Sequence, residues 1–574
     1  MRVKRSQQII TLLLTLCIIL TACSFNSKTT FKGGVPVNIV KVEGGLIKGV
    51  STDVGSVQVF KGIPFAGFTG GDMRWKEAPP VKPWKGVKVC DILGDQSMQD
   101  TTANPTGTFW GDEFYFDETF QPKSSENGLN LNIYTPAKTT NENLPVLVYI
   151  HGGGNKQGHA SEIEFYASKL AEKGIVVVSV QYRLGMFGFL ALPELSIESG
   201  KGVSGNYAVL DLIKSLKWVQ KYIDGFGGNP KKVTIAGQSA GAMNVTALLR
   251  TPLADGLFKR VIIQSGYYGL LTKKDDLIYT SLSEKESAGK DAVTKAFGKE
   301  MTIQELRALP AEYYMKTKTA DGTQTLYEAL TAVALASQNY GYALDDYVFN
   351  KNSMNLMRNG ALDGMDIMIG GTSDELTSMG TGPSDMSLED FQRNMQTIYG
   401  KEYAKAYSPV STTDAYNLFL RAESDQSHQR NLLSAEYSKA HNKNLHVYTY
   451  YFNHAPPGRN SQFYGSYHSS ELWYFFHSLR AMKGQRLWTT MDYSMANMMS
   501  SYYANFVKTG NPNGNELPLW KESIHKENNS FFMRWFEGQA ASVTTTPYPL
   551  RDAINRKVVM ESYDMTERDF QTVK

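Results

Sequence analysis

The chain carries a serine in a setting that suits nucleophilic catalysis. Ser239 is the centre of Gly237-Gln238-Ser239-Ala240-Gly241, which follows a short apolar run and precedes a helical pattern. A serine on such a sharp strand-to-helix turn projects its hydroxyl into a cleft, and neighbours without side chains let the turn close. The helix amides behind it favour the negative charge that develops when a serine attacks a carbonyl. Taken alone, the motif is also compatible with an ordinary structural turn.

A glycine run upstream supplies candidate donors for that charge. The run from His151 to Asn155 contains three consecutive glycines and directly follows a predicted buried strand. Glycines let backbone amides come close to a substrate. We therefore expect an oxyanion hole formed by the amides of Gly153, Gly154 and Ala240. The alternative, a flexible surface loop, fits poorly after a buried strand.

In hydrolases whose serine lies on such a strand-to-helix turn, the catalytic residues occur in the order serine, acid, histidine. If this chain keeps that order, the base lies after Ser239 and after an acid. Seven histidines satisfy this order: His428, His441, His446, His454, His468, His477 and His525. Any of them could instead be a surface or core histidine. His468 is the preferred candidate because it lies in a loop of small residues before an aromatic segment, where an imidazole can reach a cleft.

Two neighbouring carboxylates compete for the role of the acid. The predicted strand Ile367 to Gly370 is followed closely by Asp374 and Glu375. Either could accept a hydrogen bond from the histidine, fix its tautomer and stabilise the imidazolium. Either could also cap a following helix. The residues alone leave this choice open.

The elements that must position these residues alternate from residue 129 onward. Several are continuous β-branched runs, typical of strands buried on both faces of a parallel sheet. The predicted strands are Leu129 to Tyr134, Val146 to Ile150, Val176 to Val180, Val233 to Ala236, Val261 to Gln264, Ile367 to Gly370 and Leu445 to Tyr450. Predicted helices between them are Glu162 to Lys173, Tyr207 to Ile223 and Ala240 to Arg250. This alternation predicts a doubly wound α/β fold whose ligands gather at the carboxyl ends of the strands.

The remaining segments extend this fold. Three short apolar runs predict a small N-terminal antiparallel meander: Ile39 to Val42, Leu46 to Val50 and Val57 to Phe60. Two interruptions, around 270–360 and 376–440, have helical patterns and are expected to be cap insertions. We expect one catalytic domain over residues 37–574.

Composition excludes several classes of function. Lys and Arg total 59 against 56 Asp and Glu, and the basic residues are scattered, so nucleic acid is not an expected partner. No His, Asp and Glu cluster shows metal-ligand spacing, and neither a metal nor an organic cofactor is implied. The expected partner is a small-molecule substrate.

The N-terminus predicts export. Three basic residues within the first five precede an apolar run that is too short to span a bilayer, which is typical of a secretory signal over residues 1–22. The run ends in Leu20-Thr21-Ala22-Cys23, which resembles the bacterial lipobox. We expect Cys23 to be lipid-modified, residues 23–36 to form a flexible tether, and the protein to be anchored to a bacterial membrane. A plain signal peptide is the alternative. With Cys17 removed in the signal and Cys23 acylated, Cys90 is left without a disulfide partner.

Together these features resemble the type B carboxylesterase and cholinesterase family of α/β-hydrolases. The resemblance runs from about residue 37 to the C-terminus. Further motifs that carry it are Phe60 to Ala66, Leu131 to Pro136, Gln181 to Leu190, Gly205 to Asp211, Trp218 to Gln220, Phe226 to Pro230, Gln264 to Gly266 and Ala504 to Asn513. It implies the α/β-hydrolase fold, a central, mostly parallel twisted sheet flanked by helices.

The resemblance also implies residue roles. Ser239 becomes the nucleophile, Glu375 the acid and His468 the base of a carboxylic ester hydrolase that acts through an acyl-enzyme. Ser265 and Glu471 match positions that support the family's histidine and acid.

The chain departs from the family at Asn155, which predicts a polar amide near the acyl group, and at Gln238, where cholinesterases carry glutamate. Alternatives are a hydrolase of amides, carbamates or lipids, and a non-catalytic binding protein on the same scaffold. The physiological ester and the oligomeric state are not predicted.

Overall fold

A computed structural model describes most of the chain. The described residues are 35–266, 280–335, 341–351, 356, 360–380, 382–458, 460–479, 486–523, 533–536, 541–544 and 548–571. The predicted signal peptide, Cys23 and His525 lie outside them. The last two residues of the predicted tether are exposed but bonded to the domain, because the Val35 amide donates to the Thr140 hydroxyl (3.1 Å) and Pro36 pairs with Thr139.

An eleven-stranded, mostly parallel sheet organises the molecule. In chain order the strands of the structure are β1 (Ile39–Val42), β2 (Gly45–Lys48), β3 (Val50–Ser51), β4 (Gln58–Pro64), β5 (Val87–Val89), β6 (Gln96–Ser97), β7 (Ser124–Ser125), β8 (Asn130–Thr135), β9 (Leu144–Ile150), β10 (Val176–Val180), β11 (Gly228–Gln238), β12 (Arg260–Gln264), β13 (Thr280–Ser281), β14 (Ala343–Leu344), β15 (Asp366–Thr372), β16 (His446–Phe452), β17 (Met533–Phe536) and β18 (Ala541–Thr544). The large sheet has the order β18-β17-β16-β15-β12-β11-β9-β10-β8-β4-β3. Its pairs are parallel from β10 to β17 and antiparallel towards both edges.

Helices cover both faces of this sheet. The α-helices are Phe109–Glu113, Ser168–Glu172, Gly185–Phe189, Pro193–Glu198, Tyr207–Tyr222, Ala240–Arg250, Leu282–Phe297, Ile303–Ala308, Ala311–Lys316, Leu326–Ala334, Leu388–Tyr399, Thr412–His441, Ser461–Tyr464, Leu472–Phe475, Thr490–Thr509 and Pro549–Ser562. Strand β10 reads Val-Val-Val-Ser-Val and is buried throughout, so its side chains enter the hydrophobic cores on both faces. This is the burial that parallel strands require.

The register of the central strands brings three loops to one edge. Gly237 of β11 pairs with Ile150 of β9, and Gln238 pairs with Gln264 of β12. Gln264 in turn pairs with Gly370 of β15. The loops after these strands, which carry the glycine run, the candidate nucleophile and the candidate acids, therefore begin side by side.

The prediction of an N-terminal antiparallel meander is wrong in part. Strands β1 and β2 form the expected antiparallel hairpin, but β5 adds to β2 in parallel as the third strand. The third predicted strand lies in β4, which joins the large sheet by antiparallel pairing with β8. Burial explains the difference, because this pairing removes Phe60 and Ile63 completely from solvent.

The prediction of one helix from Glu162 to Lys173 is also wrong in part. The structure has a 3-10 turn over Ile163–Phe165 followed by a short α-helix over Ser168–Glu172. Every side chain of the turn is buried, which a solvated amphipathic helix would not allow. The region predicted as a first insertion contains the described helices between residues 282 and 334, and the second contains those between 388 and 441.

Candidate active site

Ser239 lies on a strained turn between β11 and the helix Ala240–Arg250. Its backbone angles are φ 56° and ψ −126°, which only a residue held by its surroundings adopts. A Cβ atom at Gly237 would lie 2.4 Å from the Gly241 carbonyl carbon, and one at Gly241 would lie 2.1 Å from the Ile150 carbonyl oxygen. Both glycines are therefore required by close backbone approach, and together they close the turn that presents Ser239.

The glycine run packs directly against this turn. A Cβ atom at Gly152 would lie 3.2 Å from the Ser239 Cβ. Gly153 and Gly154 have φ values of 91° and 64°, which glycine adopts without strain. Ala240 is the first residue of its helix, so its amide has no partner within that helix. The three predicted oxyanion donors thus belong to two segments that meet at Ser239.

His468 and Glu375 form a hydrogen-bonded pair. The His468 Nδ1 bonds Glu375 Oε2, and the other carboxylate oxygen accepts from the Thr372 amide at 2.7 Å. Burial alone would raise the pKa of Glu375, but the neighbouring His468 and the hydrogen bonds outweigh burial and lower it. Glu375 is therefore ionised near neutral pH, and it holds the proton of the imidazole on Nδ1.

The second imidazole nitrogen has a partner that the sequence did not indicate. The His468 Nε2 lies 3.0 Å from Nε2 of Gln238, the residue before Ser239. With its proton on Nδ1, the imidazole accepts this bond from the Gln238 amide. Among the described residues no hydrogen bond joins His468 to Ser239. The amide must therefore give way before His468 can accept a proton from Ser239, as is common in catalytic sites without substrate.

The neighbouring carboxylate, Asp374, has a different partner. Its side chain bonds the guanidinium of Arg421, and it also accepts from the Ser466 amide at 3.0 Å. A second bond, from the Asp374 amide to the Ser466 carbonyl at 3.1 Å, joins the same loops. Asp374 thus fastens the loop after β15 to the loop that carries His468, while Glu375 faces the imidazole itself.

Ser265 and Glu471 lie behind this pair. Glu471 is fully buried, and burial followed by the nearby charge of Glu375 raises its pKa to about 8. The Ser265 hydroxyl favours the charged form of both carboxyls and so lowers the pKa of each. At neutral pH Glu471 is therefore mostly protonated, and it adds little negative charge beside Glu375.

The other candidate histidines have other surroundings. His446 pairs with Glu522 at 3.0 Å and His454 with Asp492 at 2.8 Å. His428 is buried beside the site, and burial lowers its pKa to about 3. His441 bonds a backbone carbonyl, that of Tyr437, and His477 bonds the Ser500 hydroxyl.

Two cavities meet at the nucleophile. The larger, about 490 Å³, is lined by the glycine run and by aromatic residues of the segment 110–115. The smaller, about 280 Å³, lies towards the helix Thr412–His441. Both are lined by Ser239, Met379 and His468. An extended substrate can therefore place one part on each side of Ser239.

Asn155 does not face the acyl group, so that prediction is wrong. Its side chain is fully buried and accepts from the Asn244 amide at 2.9 Å. The Tyr342 hydroxyl donates to the carbonyl oxygen of the same Asn244 side chain at 2.8 Å. Asn155 has a φ of 57°, a left-handed conformation that asparagine tolerates well, and it lines neither cavity.

The described residues contain no cluster of three or more His, Cys, Asp or Glu side chains arranged to hold a metal ion. Within the same residues, no helix combines the length and the apolar composition needed to cross a membrane.

Substitution of Gly153 by alanine tests the glycine run. A Cβ atom there would lie 2.1 Å from the Gln157 carbonyl oxygen, and φ is 91°, so the loop must move. If the Gly153 amide holds the oxyanion, we expect kcat/KM for 4-nitrophenyl acetate to fall about 10²- to 10³-fold. Gly200→Ala is the control, because that glycine also has a positive φ (67°) but open space around its Cβ. Equal activity of the two variants would contradict the assignment.

Comparison with known proteins adds a family to this geometry. The sequence model of the carboxylesterase family matches residues 36–547. The chain is 30% identical to a para-nitrobenzyl esterase of Bacillus subtilis (strain 168), over 85% of this chain and 93% of that protein. It is 31% identical to a human cocaine esterase, over 86% and 85% of the two chains. It is 29% identical to a fumonisin B1 esterase of Sphingopyxis macrogoltabida, over 84% of each.

A solved structure is similar over nearly the same length. The carboxylesterase EST55 of Geobacillus stearothermophilus superposes with a TM-score of 0.69 at 28% sequence identity, covering 90% of this chain and 99% of that one. The fold is therefore the α/β-hydrolase fold.

Proposed function

This chain belongs to the carboxylesterase family, and from that premise we propose that it hydrolyses carboxylic esters with Ser239, His468 and Glu375 as its catalytic residues. The observation that carries the proposal is the bonded pair of His468 and Glu375 beside the cavities that Ser239 lines. A serine needs a base to become a nucleophile, and the base needs an orienting acid.

In the first half of the reaction, Ser239 Oγ attacks the ester carbonyl as His468 Nε2 takes its proton. The imidazolium that forms is stabilised by the ionised Glu375, which accepts the hydrogen bond from Nδ1. The negative charge on the carbonyl oxygen is held by the amides of Gly153, Gly154 and Ala240. The alcohol then leaves with the proton from His468, and an acyl-enzyme remains on Ser239.

In the second half, His468 accepts a proton from water, which attacks the acyl carbonyl. The same amides hold the second oxyanion, and the carboxylic acid is released when Ser239 regains its proton. Every step uses groups that the chain itself supplies.

The relatives' names refer to chemically different esters, so the family does not select one substrate. We propose a small-molecule ester whose acyl and alcohol parts occupy the two cavities, of about 490 and 280 Å³. Hydrolysis of 4-nitrophenyl acetate compared with 4-nitroacetanilide tests the class of bond. We expect measurable turnover of the ester and at least about 10²-fold slower turnover of the anilide, whose leaving group is poorer. Comparable or faster cleavage of the anilide would make the protein an amidase.

We also propose that the protein is exported and anchored through lipidated Cys23, from the signal-like segment 1–22 and the lipobox-like residues that end it. Cys23→Ser is expected to release soluble protein in place of membrane-bound protein, measured by fractionation of cells that express the full chain. Cys90→Ser is the matched control, since that cysteine is buried in the folded domain. Membrane retention of the Cys23 variant would contradict the anchor.

A further inference from the structure

The glycine run carries two of the three proposed oxyanion donors, yet glycine by itself does not fix the direction of its amide. Gly153 and Gly154 have φ values of 91° and 64°. The heavy atom nearest to a Cβ atom at Gly154 would be 3.8 Å away, in the Lys156 side chain, so close packing on that side does not hold the residue. Donors stabilise an oxyanion best when they are aimed before the charge develops. The run must therefore be held by the residues at its two ends.

Both ends of the run are bonded to the surrounding fold. At the start, the Tyr182 hydroxyl donates to the His151 carbonyl at 2.9 Å. At the end, the Gly185 amide donates to the Asn155 carbonyl at 2.7 Å. Asn155 also makes the turn out of the run in a left-handed conformation, with φ 57°. Backbone contacts thus fix where the run begins and where it ends.

The side chain of Asn155 adds a bond to the helix that follows the nucleophile. Its oxygen accepts from the Asn244 side-chain amide at 2.9 Å, and both side chains are fully buried. Asn244 lies about one helical turn after Ala240, and helical side chains lean towards the start of their helix. The bond therefore joins the segment of the glycine donors to the turn that carries the third donor.

The direction of the Asn244 amide is set from its other side. The Tyr342 hydroxyl donates to Asn244 Oδ1 at 2.8 Å, and Tyr342 is buried in the first predicted insertion. Because Oδ1 accepts this bond, the Nδ2 donor faces Asn155. Hydrogen bonds in series strengthen one another, and a satisfied buried network is rigid. Three side chains from distant parts of the sequence thus form one directed chain of hydrogen bonds.

We propose that Asn155 and Asn244 are positioning residues of the oxyanion hole and that Tyr342 orients them. Their bond fixes the glycine amides relative to the Ala240 amide, so that all three donors point to one oxygen. Neither asparagine lines the two cavities at Ser239, so they act through the backbone and not through contact with substrate. This role rests on the proposed ester hydrolysis, and it explains the departure from the family at residue 155.

Two substitutions remove the bond from its two sides. Asn244→Ala places a good helix former in the helix, and Asn155→Gly keeps a residue that adopts positive φ without strain. We expect each to lower kcat for 4-nitrophenyl acetate about 10- to 100-fold, the loss that a misplaced catalytic group causes, with KM within about threefold. The double variant should lose no more than the worse single variant, since both break the same bond.

An inhibitor that becomes an oxyanion separates positioning from a structural role. When Ser239 Oγ adds to the carbonyl carbon of phenyl trifluoromethyl ketone, its proton passes to His468 and the carbonyl oxygen becomes an alkoxide held by the same amides. This adduct resembles the transition state of ester hydrolysis. We therefore expect Ki for the ketone to rise in the asparagine variants by about the factor by which kcat falls.

Asn206→Ala is the matched control. Asn206 is a buried asparagine whose amide donates at 2.8 Å to the carbonyl of Ala343, the residue after Tyr342, and it lines neither cavity. We expect a lower melting temperature, with kcat and Ki within about threefold of wild type. Tyr342→Phe removes a single hydroxyl and so tests the network if an asparagine variant does not fold. Here we expect about a 3- to 10-fold fall in kcat and a matching rise in Ki, the effect of one hydrogen bond.

The outcomes separate this role from the proposed function. Wild-type kcat and Ki in the folded variants, a fall in kcat without a rise in Ki, or equal changes in Asn206→Ala would overturn the positioning role while ester hydrolysis stands. A wild-type protein that does not hydrolyse 4-nitrophenyl acetate would overturn the proposed function and this role with it.

Discussion

Replacement of His468 by alanine is expected to lower kcat/KM for 4-nitrophenyl acetate by about 10⁴-fold or more, as the loss of a catalytic base generally does. Without the imidazole Ser239 loses its base, because the neighbouring Gln238 offers only a neutral amide. The measurement is steady-state turnover at pH 7, with folding checked by thermal melting.

His446→Ala is the control for this experiment. That histidine is half exposed and bonds Glu522 at the amino end of β16, at the opposite end of the strand from the site. Its variant should retain turnover within about twofold of wild type, since surface changes rarely affect function. Wild-type turnover in His468→Ala would require another base, and His428, which lines the smaller cavity, would be the next candidate to test.

Replacement of Glu375 by glutamine is expected to lower kcat about 10³- to 10⁴-fold with little change in KM. The amide keeps the shape of the carboxylate but cannot stabilise the imidazolium that His468 becomes. It also no longer selects the tautomer with its proton on Nδ1. Because the loss arises in the transition state, burst and steady-state kinetics should show it in the chemical steps.

Asp374→Asn is the matched comparison, made one residue earlier in the same loop. Its carboxylate bonds Arg421 and the Ser466 amide, so its loss should weaken the fastening between two loops. We expect a lower melting temperature but turnover within about tenfold of wild type. A larger kinetic loss in Asp374→Asn than in Glu375→Gln would reverse the assignment of the acid.

Local sequence patterns were enough to predict the strand and the helix on which the site is built. The run Val176–Val180 and the helix Ala240–Arg250 have in the structure the bounds that their sequence predicts. The first is a β-branched run too apolar for any setting but a buried strand. The second begins at a glycine-flanked turn, whose backbone requirements are visible in the residue types themselves.

Contacts between distant segments could not be predicted from those patterns. The bond between Gln238 and His468 joins residues 230 positions apart, and no periodicity indicates it. The choice between Asp374 and Glu375 likewise depends on which carboxylate faces Arg421 and which faces the imidazole. Glu162 and Glu164 fall within a predicted helix, and no local pattern indicates that both carboxyl groups are removed from water. Tertiary packing buries them instead.

The nucleophile itself is tested most directly by covalent labelling. A fluorophosphonate reacts with an activated serine and adds its phosphonyl group to the protein, which intact-mass analysis detects. The account predicts one added group on the wild-type protein and none on Ser239→Ala. A variant that is still labelled to the same extent would contradict the assignment of Ser239, and with it the catalytic residues built around that serine.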